Sequence, residues 1–173
     1  MKYLLLSDLH GSLSSLIYKE ILDDTFDKVI LLGDILYHGP RNDLPKDYAP
    51  KVLIKELNQI KDKIIAIKGN CDAEVDEMVL DFKFNQSLDL NINGLNAHFE
   101  HGHHLDNYKG NADIIIYGHT HLNRLEYQGV KIYFNPGSIA LPKENQPKSY
   151  AIWDKRSIKI YNINHEVVSE LNY

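Results

Sequence analysis

Near-continuous apolar runs end abruptly in polar residues at Tyr3–Leu6, Val29–Leu32, Ile64–Ile67 and Ile114–Tyr117. Short runs without polar alternation suit strands buried on both faces of a sheet. Between the first two lies an apolar stripe at helical spacing, Leu13, Leu16, Ile17, Ile21 and Leu22, with Ser12 placed to cap its start. The same spacing recurs at Val52, Leu53, Ile54, Leu57 and Ile60 behind Pro50. Proline suits a first helical turn, where the N–H it lacks would have no partner. The first half is therefore predicted as β-α-β-α-β. After Leu80 the texture changes to short alternating stretches. Asn93-Gly94 separates Leu88–Ile92 from Leu95–Phe99, Gln128-Gly129 separates Arg124–Tyr127 from Val130–Phe134, and Lys155-Arg156 separates Tyr150–Trp153 from Ile158–Tyr161. Such punctuation predicts hairpins and a second half that is mostly β. The irregular stretch Gly33–Tyr48 is too long for a mere connector, and its place beside a buried strand makes it a candidate for function.

A chain of 173 residues, 43% hydrophobic and 25% charged, has the size and balance of one globular core, so a single domain over residues 1–173 is expected. The net charge of −5 offers no basic field for a polyanion, which argues against a nuclease and against a nucleic-acid scaffold. The apolar start stops at Ser7-Asp8, short of the ~7–15 residues of a signal-peptide core. No run approaches the ~18 apolar residues of a membrane-crossing helix, so no membrane role is expected. The single cysteine, Cys71, allows no internal disulfide, and a reducing, cytoplasmic setting is the expectation.

The polar residues just past the apolar runs form a pattern. Asp8-Leu9-His10-Gly11 follows the first, Gly33-Asp34 the second and Gly69-Asn70-Cys71-Asp72 the third. His101-Gly102-His103 comes next, and Gly118-His119-Thr120-His121 follows the fourth. Ligands of open α/β sheets bind beyond the carboxyl ends of the strands, so these segments are expected to converge. Their Asp, His and Asn side chains offer only nitrogen and oxygen, a set suited to Mn²⁺, Fe²⁺ or Zn²⁺. Asp8 and His10, like His119 and His121, lie two apart, and on extended chain would face the same way. Each fragment alone is as readily an ordinary turn; the full set points to a metal centre.

The order Asp8-x-His10, Gly33-Asp34, Gly69-Asn70, His101 and Gly118-His119-x-His121 resembles the signature of the calcineurin-like metallophosphoesterases. The likeness is closer to the small bacterial YfcE-type phosphodiesterases, through Gly33-Asp34-x-x-x-His38-Gly39-Pro40-Arg41-Asn42, Gly69-Asn70-Cys71-Asp72-x-Glu74-Val75-Asp76 and Phe134-Asn135-Pro136-Gly137-Ser138. The resemblance implies a four-layer α/β/β/α sandwich with two packed, mostly mixed β-sheets. It implies two divalent metal ions per chain, Mn²⁺ favoured and Fe²⁺, Zn²⁺, Ni²⁺ or Mg²⁺ as rivals. Asp8, His10 and His121 would hold one ion, Asn70, His101 and His119 the other, with Asp34 bridging. The implied reaction is hydrolysis of a small phosphodiester by in-line attack of a metal-bridging hydroxide.

One position departs from the wider family pattern, where a histidine commonly follows the asparagine and serves the leaving group; here Cys71 stands there, as in the YfcE type. Cys71 reads equally as a small filler or as a modest participant. His103, one glycine past His101, reads as a catalytic candidate or as a solvated loop residue. His38 and Arg41, in the long loop, read first as ordinary loop residues and second as cations for a substrate phosphate. His98, His104 and His165 fit no pattern. Trp153 and the tyrosines read as strand-packing residues. The rival from another class is a non-catalytic protein-binding scaffold of the same fold, as in a retromer subunit, which has no reason to keep every ligand position intact. A homo-oligomer is expected from the β-rich second half.

Overall fold

The computed structural model describes residues 1–12 and 25–173. The helix predicted over Leu13–Leu22 lies outside the described residues. The apolar runs form β1 (Lys2–Leu6), β2 (Lys28–Leu31), β3 (Ile64–Ile67) and β7 (Ile114–Ile116), and the stripe behind Pro50 forms helix α1 (Pro50–Gln59). The hairpins are β5 (Ser87–Ile92) with β6 (Leu95–Glu100), β8 (Asn123–Gln128) with β9 (Lys131–Pro136), and β10 (Ser149–Asp154) with β11 (Ser157–Asn162). Two strands carry no clear sequence signal: β4 is only Phe84–Asn85, and β12 (Val167–Asn172) alternates but is mostly exposed.

One hairpin turns a residue later than its sequence suggests. Gln128 pairs with Lys131, so Gly129 and Val130 form the turn, with Gly129 at φ 62 in its first position. A positive φ there suits a two-residue turn that matches strand twist, and it leaves Val130 at the exposed tip.

The strands make two mixed sheets, seven-stranded in the order β12-β11-β10-β1-β2-β3-β4 and five-stranded in the order β5-β6-β7-β9-β8. Alternation within β1 and β2 explains their unbroken apolar runs. Tyr3, Leu5, Ile30 and Leu32 point between the sheets against Phe99, Ile114, Ile116 and Phe134, while Leu4, Leu6, Val29 and Leu31 point outward beneath Leu53 and Leu57 of α1. Trp153 is fully buried between the sheets, its indole N–H donating to Tyr173 Oη at 2.6 Å, the packing role expected of it. The order of layers is that of the α/β/β/α sandwich. Over the five-stranded sheet, however, the outer layer among the described residues is thin: a 3-10 turn at Leu105–Asn107 and Tyr108 pack on Ile115, Tyr117 and Tyr133. β1, β2 and β3 run parallel, as do β6, β7 and β9, so the segments singled out above leave carboxyl ends of neighbouring strands.

Candidate metal centre

Side chains from five strand ends meet in a small volume. Three sets of ligand atoms close to within 4.8 Å of one another: Asp8, His10 and His121; His10, Asp34 and Cys71; and Asp8, Asp34 and His101. Asp8, His10, Asp34, His101 and His121 are all buried. Asn70 joins them through Oδ1, 3.1 Å from His101 Nε2. His119 is half-buried with its ring 5.1 Å from that of His101; it belongs to none of the three sets, and its backbone N–H donates to Asp8 Oδ2.

The backbone beneath these residues is not extended. Asp8, His10, Asp34, His119 and His121 have φ of 52°, 46°, 54°, 65° and 61°. The expectation that Asp8 and His10, or His119 and His121, face the same way by strand alternation is therefore corrected. β1 ends at Leu6, and a run of left-handed residues turns the chain so that each side chain aims back across the sheet edge. Non-glycine residues adopt that region at a cost and keep it where surrounding contacts enforce it. Here those contacts are backbone bonds between strand ends, Asp8 N–H to Gly33 O at 3.1 Å and His10 N–H to Asp34 O at 2.8 Å. Close approach makes glycine necessary at two other positions. A Cβ on Gly69 would strike the Asp34 carboxylate, and one on Gly118 would strike Ser7 Oγ and crowd Asp8 Oδ2.

Backbone carbonyls orient three of the imidazoles. His10 Nδ1 lies 2.8 Å from the Tyr37 carbonyl, His101 Nδ1 2.6 Å from that of Leu32, and His121 Nδ1 2.5 Å from that of Leu141. A carbonyl only accepts, so Nδ1 carries the proton in each ring and Nε2 is the atom turned inward. His10 Nε2 and His121 Nε2 consequently face each other at 3.2 Å, with Asp8 Oδ1 at 4.0 and 3.3 Å. Asp8 Oδ1 is itself buried with no hydrogen-bond partner. Two lone pairs and an orphaned carboxylate oxygen in one buried spot repel unless a cation lies among them, and this fits a divalent ion.

The charges are tightly coupled. Burial opposes charge on His101, but the Asp34 carboxylate at 3.4 Å, together with Asp8, outweighs it and pushes the imidazole pKa up to about 9. Burial would likewise raise Asp34, yet His101, the Cys71 N–H and His10 hold it far below the usual carboxylate range. Burial lowers the pKa of His10, and burial with the charge of His101 lowers those of His103 and His119. Burial and the neighbouring Asp34 push the Cys71 thiol up to about 12.

A cavity of about 830 Å³ opens over Asp34, Asn70, Cys71, His119 and His121. Arg41 lines it; His38 does not. The His38 ring packs between Tyr37 and Tyr48, at 4.7 and 5.6 Å between centroids, and its carbonyl accepts a bond from Asn42 that braces the loop. His103 is exposed beside the cluster, its ring 5.5 Å from His101 and 6.0 Å from His119. Sequence reasoning gave no role to three residues that position the cluster. Asp72 accepts backbone N–H bonds from Asp34, Ile35 and Gly69 at 2.8, 2.7 and 2.7 Å, tying the ends of β2 and β3 together. Asn135 donates to Gly118 O, and Ser138 donates to Asp8 O while accepting from Leu141 N–H, whose carbonyl holds His121. Short polar residues flanking a glycine or proline turn were the available signal, but many loops share it.

Fold and cluster together define a class. Residues 1–157 match the model of the calcineurin-like phosphoesterase superfamily domain, and the chain belongs to that superfamily. It is 36% identical to phosphodiesterase YfcE of Escherichia coli K12 over 97% of this chain and 95% of that protein. The solved structure of the E. coli YfcE phosphoesterase superposes with a TM-score of 0.92 at 34% identity, covering 99% of both chains. Vacuolar Protein Sorting 29 from Cryptosporidium parvum shares the fold, with a TM-score of 0.69 at 18% identity over 99% of this chain and 98% of that one.

Proposed function

We propose that the protein is a metal-dependent phosphodiesterase acting on a small diester at a two-metal site. The observation that carries this reading is the facing pair of Nε2 atoms of His10 and His121 beside the orphaned Asp8 Oδ1. Asp8, His10 and His121 would hold one ion and Asn70, His101 and His119 the other, with Asp34 between them; Mn²⁺ is favoured by the mixed N/O set. Ions held there would supply a water nucleophile of lowered pKa and positive charge for the phosphoryl oxygens during in-line displacement. The chain's own residues do the rest. The Tyr37, Leu32 and Leu141 carbonyls orient the rings, and Asp72 fixes the loops that carry Asp34 and Asn70.

A diester is favoured over a monoester because no imidazole stands at position 71. A monoester presents a dianion and gains more from an acid at its leaving oxygen, and no imidazole stands at position 71 to supply one. The similarity to YfcE, a named phosphodiesterase, supports the same choice. A non-catalytic scaffold is disfavoured, since a protein-binding surface gives no reason to keep buried imidazoles oriented by backbone carbonyls. Chelator-stripped protein screened against divalent ions with bis-p-nitrophenyl phosphate and p-nitrophenyl phosphate tests the reading. Activity should return with Mn²⁺ and favour the diester. Faster cleavage of the monoester would overturn the diesterase assignment, and metal-independent turnover would overturn the metal centre.

A further inference from the structure

The cavity is larger than one phosphate requires; its size is that of pockets holding whole small molecules. Its wall carries two cations, Arg41 and Lys143, both exposed and, among the described residues, neither in an ion pair nor a side-chain hydrogen bond. Several other cations of the chain are paired. Lys83 meets Glu77 at 3.8 Å, Lys148 meets Asp47 at 3.8 Å and Lys159 meets Glu170 at 3.1 Å. What sets Arg41 and Lys143 apart is their place: in a chain of net charge −5, they line the same cavity as Asp34, Asn70, His119 and His121.

Both cations sit on segments tied to the metal-centre imidazoles. The Tyr37–Asn42 loop is fixed by His10 Nδ1 on the Tyr37 carbonyl and braced by Asn42 on His38 O, while Gly39 lets it pass close to Cys71 Sγ. The segment carrying Lys143 is fixed by His121 Nδ1 on the Leu141 carbonyl and by Lys143 N–H on His121 O at 3.4 Å. Since His10 and His121 meet at Nε2, the two loops are held at a set distance from the same point, one on each imidazole. Tyr37, 43% exposed, adds an aromatic surface to the cavity wall.

We infer that Arg41 and Lys143 form a second anion subsite, and that the substrate is a small phosphodiester carrying a further phosphate group. This rests on the phosphodiesterase reading. The scissile diester is a monoanion that the metal centre already neutralises, so it leaves these two cations without a partner. A second phosphate, a dianion near neutral pH, matches them in charge, and Arg offers it paired N–H donors. The group separating the two phosphates would lie along Tyr37, whose exposed ring suits a planar or apolar spacer.

The test compares thymidine 3′-(p-nitrophenyl phosphate) with its 5′-phosphorylated form, using the Mn²⁺-loaded protein at low salt. The second phosphate should raise kcat/KM by about tenfold or more, the scale of one charge-assisted contact, and the gain should shrink as salt rises. In Arg41→Met, Lys143→Met and the double substitution the ratio of the two rates should fall stepwise toward unity. Calorimetry with thymidine 3′,5′-bisphosphate and thymidine 3′-monophosphate supplies a reading independent of turnover, with the bisphosphate binding about tenfold tighter in the native protein and equally in the double variant. Absence of turnover on both esters with the binding difference intact would sink the phosphodiesterase reading and leave the anion subsite standing. Equal binding and equal rates in the native protein, or a preference that survives the double substitution, would overturn the subsite.

Discussion

At the scale of single residues, the candidate site is an exercise in fixing protons. Asp34 lies 3.4 Å from His101 Nε2 through Oδ1 and 3.8 Å from His10 Nε2 through Oδ2, so it faces both halves of the cluster. Asp34→Asn removes the charge from that position, and turnover of bis-p-nitrophenyl phosphate should fall by at least about two orders of magnitude in a folded protein; near-native rates would show that Asp34 has no bridging role. In the metal-free protein the raised pKa of His101, about 9, has a definite sign. The Asp34 pairing contributes stability that is fully present below the ordinary histidine value of about 6.5 and is lost as pH rises through about 9. The melting temperature of chelated protein should show this term as a decline across that window, absent in His101→Gln. The same proton must leave before Nε2 can ligate, so metal affinity should climb with pH and level off above about 9. At position 71, Cys71→His should raise monoesterase turnover toward the diesterase rate, read as the ratio of the two p-nitrophenyl substrates. No change in either rate would remove Cys71 from the account of substrate preference.

At the scale of elements, the centre depends on how closely strand ends from two sheets approach. Gly118, after β7, lies against Ser7 and Asp8 after β1, with no room for a methyl group. Ser7 Oγ donates to Asp8 Oδ2 at 2.6 Å, so pushing Ser7 aside also loosens a buried carboxylate. Gly118→Ala should cost about 1–3 kcal/mol in a denaturant melt, as overpacking of a tight interior commonly does, and should lower metal affinity in the same variant. A fully stable variant with unchanged metal binding would mean the two strand ends can part freely. The predicted elements were legible because strands buried on both faces need unbroken apolar residues, and α1 needs its inward stripe at Leu53 and Leu57. β4 and β12 were not, since a two-residue strand and a mostly exposed edge strand bury too little apolar surface to leave a pattern.

At the scale of the whole molecule, buried ligand atoms without an ion are a liability that metal binding removes. Asp8 Oδ1 has no partner and lies 3.3 Å from His121 Nε2. Reconstituted protein should bind about two Mn²⁺ per chain by elemental analysis and melt at a higher temperature than chelated protein, because an ion bound only by the folded state stabilises it. In Asp8→Asn the amide can donate to that Nε2, so the chelated variant should be at least as stable as chelated native protein while losing most of the rise with Mn²⁺. A variant that keeps the full rise would exclude Asp8 as a ligand. The sequence by itself determined α1, the strands other than β4 and β12, and the residue types of the site. Apolar period and the order of Asp, His and Asn after each run are local properties that a linear reading detects. Only the tertiary structure decided how those residues meet: by left-handed turns at Asp8, His10, Asp34, His119 and His121, not by strand alternation. It alone turned His38 into the aromatic packing of its loop and enlisted Asp72, Asn135 and Ser138 to hold the turns. It also drew Lys143 to the same cavity as Arg41. Those outcomes rest on hydrogen bonds between segments far apart in the chain, whose partners have no local signature to read.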